Sequence, residues 1–118
     1  MARPKKFKNI CALPEFDSFR QNSPLMGNFL ETILTLEEYE TIRLIDYESM
    51  TQEECSFQIG VSRPSVQLLY TSARKKISNF IVNGGSLKIE GGSYKICNHE
   101  NGNCKRRGCY QHRNKPDF

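Results

Sequence analysis

A chain of 118 residues with 37% hydrophobic content is long enough for one small domain with tails, and too lean to pack its whole length into one core. It has no Trp and no apolar run approaching the ~20 residues of a membrane span. The basic start at Met1–Lys6 is not followed by the apolar stretch of a secretory signal, so the expected compartment is the cytoplasm. In a reducing compartment the five Cys read as core residues, metal ligands or reactive thiols before disulfides.

The net charge of +4 is unevenly spread. Arg3, Lys5, Lys6 and Lys8 open the chain with no acid among them. Residues 31–54 then carry Glu31, Glu37, Glu38, Glu40, Asp46, Glu48, Glu53 and Glu54 against Arg43 alone. Arg63, Arg74, Lys75 and Lys76 reverse the sign, and residues 95–115 are basic again. A basic arm, a basic helix and a basic tail around one acidic face suit a polyanion approached from one side.

Residues 1–34 read as a basic N-terminal arm docked on the core. Pro4, Pro14 and Pro24 interrupt any long helix. Phe7, Ile10, Leu13, Phe16 and Phe19 are too apolar for a free linker, so their side chains are expected to dock. A short helical turn fits near Leu25–Ile33.

Residues 35–96 form the readable domain. Thr35-Leu36-Glu37-Glu38 is a capping box, and Leu36, Tyr39, Ile42 and Ile45 follow at helical spacing to an end near Glu48–Met50. Thr51-Gln52-Glu53-Glu54 is a second capping box opening a short helix, with Cys55 on its buried side. Gly60 is the left-handed residue that ends it. Ser62 caps a long third helix with Pro64 in its first turn, and Asn83-Gly84-Gly85 ends it. Leu87 and Ile89, then Tyr94 and Ile96, alternate around Gly91-Gly92, which reads as a β-hairpin.

The segment Thr51–Leu69 has the makings of a helix-turn-helix: small Ser56 for close approach, Gly60 for the turn, Val66 and Leu69 facing back. Arg63, Ser65 and Gln67 then start the outward face of a helix able to read base edges in the major groove. Thr71 shares that outward face, and Arg74, Lys75 and Lys76 lie further along, suited to phosphates. Arg3, Lys5 and Lys6 add a minor-groove or backbone contact. The fold class is therefore mainly α, a helix-turn-helix domain with a C-terminal hairpin, an extended basic arm and a polar tail. One short helix gives little specificity alone, so a homodimer on a two-fold DNA site is expected.

Residues 97–118 are basic and rich in Cys and His, with too few apolar residues for a core. Cys97, Cys104, Cys109 and His112, with His99 in reserve, supply enough soft ligands for one tetrahedral zinc per chain. The spacing lacks the usual Cys-x-x-Cys pairs, so a tail without metal stands beside that reading. No phosphate-cradling Gly loop, nucleophile elbow or paired acids in a plausible pocket argues for an enzyme.

The string Leu34-Thr35-Leu36-Glu37-Glu38-Tyr39-Glu40, Arg43-Leu44, Asp46, Thr51–Glu54, Gly60–Ser65 and Ser72–Lys76 resembles the domain-of-unknown-function 134 family. The resemblance extends upstream to Arg3–Lys6 and Cys11-Ala12-Leu13-Pro14, and downstream to Leu87–Tyr94. Members often carry Cys where this chain has Phe7, so no N-terminal Cys-x-x-x-Cys pair is present here. The family implies a prokaryotic DNA-binding, transcription-factor-like protein, similar in its helix-turn-helix to the fourth conserved region of sigma factors. Two other functions remain open. The acidic face could dock a basic protein such as RNA polymerase, or the Cys/His tail could make the protein a metal- or redox-responsive regulator.

Overall fold

The computed structural model describes residues 7–23 and 30–96. About half of these are helical. The elements run β1 (Lys8–Ile10), β2 (Ser18–Arg20), β3 (Glu31–Leu34), α1 (Leu36–Ile42), a π-helical turn (Arg43–Tyr47), α2 (Gln52–Ile59), α3 (Arg63–Asn83), β4 (Ser86–Ile89) and β5 (Tyr94–Ile96). The chain is mainly α, and among its described residues no helix is long and apolar enough to cross a membrane.

Both capping boxes form. Thr35 Oγ1 accepts from the Glu38 amide, and Glu38 Oε1 accepts from the Thr35 amide at 2.9 Å. Thr51 and Glu54 repeat the exchange at α2. Each box satisfies two amides that the first helical turn cannot. After Ile42 the helix widens: the Glu48 amide donates to the Arg43 carbonyl, five residues back, at 2.8 Å. Ser49 then takes φ 63 and turns the chain toward α2.

Residues 86–96 form two strands but not the expected hairpin. β4 lies in a three-stranded sheet, antiparallel to β2 and parallel to β3, while β5 pairs in parallel with β1. The Gly91-Gly92 segment is held against the start of α1. The Leu36 amide donates to the Gly91 carbonyl at 3.1 Å, and Glu37 Oε1 accepts from the Ser93 amide at 2.7 Å. Gly92 has φ +98, and a Cβ there would fall 2.1 Å from Glu37 Oε1. Pairing with the N-terminal strands hides more backbone than a lone two-stranded hairpin could, and such a hairpin is marginal in water.

The expected helical turn near Leu25–Ile33 is replaced at its end by β3; residues 24–29 lie outside the described region. The aromatic anchors expected along residues 1–34 are mostly in water. Phe7, Phe16 and Phe19 are exposed, whereas Ile10 and Cys11 are buried. Strand pairing, not ring burial, holds this segment.

Two apolar clusters lie along α3. Leu44, Met50, Cys55, Ile59 and Val66 join α2 to the first third of α3, with Val61 packed against them. Ile10, Leu34, Leu36, Ala73, Leu87 and Ile89 join the sheets to its middle. Burial beside Glu40 pushes the Cys55 thiol up to about 12, so it stays protonated and packs as a small apolar group.

The acids of α1 are not the solvated surface that composition suggests. Glu37, Glu38 and Glu40 are all buried. Glu40 takes the Arg43 guanidinium at both Nε (2.8 Å) and Nη2 (2.9 Å), and also accepts from the Cys11 amide. Arg43 Nη1 reaches Glu48 at 3.1 Å. Glu38 accepts from Lys76 Nζ at 2.7 Å and from the Ser72 hydroxyl. Burial acts to raise the Glu38 carboxyl, but the Lys76, Ser72 and Thr35 hydrogen bonds outweigh it and hold it below its ordinary value. A lowered folded value means this stabilisation is complete above the unfolded value and fades as pH falls through the folded one. Glu38→Gln is expected to cost about 1–3 kcal/mol at pH 7 in chemical denaturation. The gap to the unaltered protein should narrow as pH falls below the ordinary glutamate range, because the lowered Glu38 carboxyl takes up its proton only there.

Candidate nucleic-acid interface

The candidate interface is the outer side of α3 and the joint that presents it. α2 ends at Gly60, whose φ of 84 lies in the left-handed region. Its amide and that of Val61 both donate to the Ser56 carbonyl, at 2.8 and 3.2 Å. Ser62 then caps α3: its hydroxyl accepts from the Ser65 amide at 3.3 Å, and Pro64 follows within the first turn, where a missing amide costs little. Val66 is completely buried against Cys55 and Ile59, which fixes the rotation of α3 about its axis. Arg63, Gln67, Leu68, Thr71, Arg74 and Lys75 consequently lie on the exposed side.

The sequence-derived contacts do not share one environment. Arg63 is exposed at the first position of α3, without an ionic partner among the described residues. Gln67 and Thr71 sit one turn apart, Nε2 to Oγ1 3.4 Å, and line a shallow groove with Tyr70, Arg74, Lys75 and Ser78. Ser65 is half-buried, its hydroxyl 3.0 Å from that of Ser62, so it belongs to the helix cap. Lys76 turns inward to Glu38 and is spent on the fold. Its neighbour Lys75 is exposed and has no such partner among the described residues. Arg3, Lys5, Lys6 and the zinc ligands Cys97, His99, Cys104, Cys109 and His112 lie outside the described region. Among the described residues no group of three or more His, Cys, Asp or Glu is placed to hold a metal.

One residue in contact with the groove has no local sequence signal. Asp46, from the π-helical turn, reaches across to α3 and accepts from the Tyr70 hydroxyl at 2.8 Å. Arg74 Nε stands 3.8 Å from its other oxygen, and the guanidinium lies over the Tyr70 ring, 5.1 Å from the centroid. Donation to the Asp46 carboxylate holds the Tyr70 phenol above its usual value. The contact spans 24 positions and depends on the widened turn, so helical periodicity could not reveal it.

Gly60 is where this presentation is most sensitive. A Cβ there would stand 2.9 Å from Asn9 Nδ2, a side chain able to move, so the main penalty is the left-handed backbone. Gly60→Ala is expected to cost about 1–2 kcal/mol, read as a lowered midpoint in thermal denaturation.

Comparison with known proteins gives a family without an assigned activity. The family model described as "Protein of unknown function DUF134" matches residues 1–97. A protein of Desulfitobacterium hafniense named only as a UPF0251 protein is 44% identical over 115 residues, covering 98% of this chain and 91% of that one. A UPF0251 protein of Caldanaerobacter subterraneus subsp. tengcongensis is 42% identical over 96 residues, 81% of each chain. One from Halothermothrix orenii is also 42% identical over 96 residues, which is 81% of this chain and 71% of the relative. The first alignment is long enough to run into the Cys/His tail. No solved structure matches the chain.

Proposed function

Because the chain belongs to the DUF134 family of proteins of unknown function, its activity has to be read from its own surface, and we propose that it binds double-stranded DNA sequence-specifically as a transcriptional regulator. The reading takes α2, the Gly60 turn and α3 as a helix-turn-helix, with α3 entering the major groove. The observation that carries it is the division of labour on α3. Val66 and Ala73 are buried, Lys76 is drawn inward, and Arg63, Gln67, Thr71, Arg74 and Lys75 are left in one exposed polar and basic series. Such a series at the capped start of a helix combines base-edge readers with phosphate contacts.

Arg63 and Gln67 are the base readers, because they stand exposed in the first two turns of α3. Arginine pairs bidentately with guanine, and glutamine with adenine. Lys75 and Arg74 are the phosphate contacts. Ser65 and Lys76 drop out of the sequence-derived set, since the cap and Glu38 already engage them. The acidic-face alternative is weakened by the burial of Glu37, Glu38 and Glu40, which removes three of its charges from reach of a partner.

Selection of bound sequences from random duplex DNA, followed by titration at several salt concentrations, tests the reading. Enrichment of a motif, with affinity falling steeply as salt rises, is the expected result. Arg63→Ala should cost about 1–3 kcal/mol on the enriched duplex and relax preference at one position. Lys75→Ala should weaken all duplexes alike and reduce the salt slope by about one. Absence of any enriched motif at low salt would overturn sequence-specific binding.

A further inference from the structure

Asp46 sets an acid against two residues of the α3 groove, Tyr70 and Arg74. Asp46 is 41% exposed and is not needed to neutralise a buried charge, since Arg74 beside it is 62% exposed. Its hold on Arg74 is loose: one nitrogen at 3.8 Å, the outer limit of an ion pair. Its hold on Tyr70 is close, 2.8 Å from hydroxyl to carboxylate. Arg74 can therefore leave while the carboxylate stays anchored to Tyr70, itself a residue of the groove.

We propose that Asp46 is a built-in competitor for Arg74, an internal carboxylate in the place of a phosphate, which lowers the affinity of this face for polyanions. The inference rests on the duplex-DNA reading above. In the free protein Asp46 offers Arg74 a negative partner. A phosphate taking Arg74 must replace that partner and then sit beside a fixed like charge. Charge contributions of this kind dominate non-sequence-specific binding, so their reduction falls on binding to any duplex. Asp46 acts through Arg74 and is a positioning residue, not a contact to bases.

Asp46→Asn tests this well, because the carboxamide oxygen still accepts from Tyr70 while the charge is gone. The probes are random-sequence duplex at low salt and retention on immobilised heparin. Asp46→Asn is expected to bind random duplex about three- to tenfold tighter, with the gain shrinking as salt rises. It should also leave heparin at higher salt. In an Arg74→Ala background the same substitution should gain much less, a non-additivity that general charge change does not produce. Glu31→Gln, at an exposed acid of β3 with no ionic partner among the described residues, is the control for net charge and should give little gain.

Unchanged or weaker binding by Asp46→Asn overturns the proposal, as does an equal gain without Arg74 or from Glu31→Gln. If the unaltered protein fails to bind duplex at all, the DNA reading falls. The heparin series then still decides for or against Asp46 as the competitor for Arg74.

Discussion

A carboxylate taken out of water has to find its hydrogen bonds inside the chain, and α1 buries three of them in four positions. Each is claimed by a different part of the molecule. Glu37 takes Lys8 of β1 and the Ser93 amide ahead of β5. Glu38 takes its own cap, then Ser72 and Lys76 of α3. Glu40 takes Arg43 and the Cys11 amide. The arm, the last strand, the long helix and the π-helical turn are thereby referred to one short helix. Removing one partner of such a pair leaves the other charged and buried, the costly situation in a protein interior.

The same network determines what α3 can offer outside. Lys76 is consumed by Glu38, while Lys75 and Arg74, its neighbours in sequence, point elsewhere. A run of three bases therefore does two jobs. The capping work of Glu38, legible as Thr-x-x-Glu, is also tertiary work, because a carboxylate has more acceptor positions than one cap uses. The two apolar clusters complete the arrangement: one fixes the rotation of α3 at Val66, the other its seat on the sheets at Ala73.

The proposed regulator uses this rigidity for positioning. Arg63 and Gln67 project from a helix end fixed by Ser62, Gly60 and the Val66 contact, not from a loop. Asp46 projects from the π-helical turn, where the helical spacing is altered. A residue inserted by a π-helical turn is re-aimed relative to the rest of its helix, and here it is aimed at Tyr70 and Arg74.

Much of this was decided by local chemistry and is legible without a fold. Thr35, Thr51 and Ser62 start helices because their hydroxyls satisfy orphan amides, and Gly60 ends one because it tolerates positive φ. Those signals act within four residues, so the chain order carries them. Strand partners, the inward turn of Lys76, the burial of three glutamates and the reach of Asp46 to Tyr70 join residues 24–86 positions apart. Alternation around Gly91-Gly92 specifies strands but not which edge they meet, and the Leu36 amide and Glu37 carboxylate at the start of α1 captured that turn. An acidic side chain reads the same in sequence whether water or a lysine from another element neutralises it, and only packing settled which.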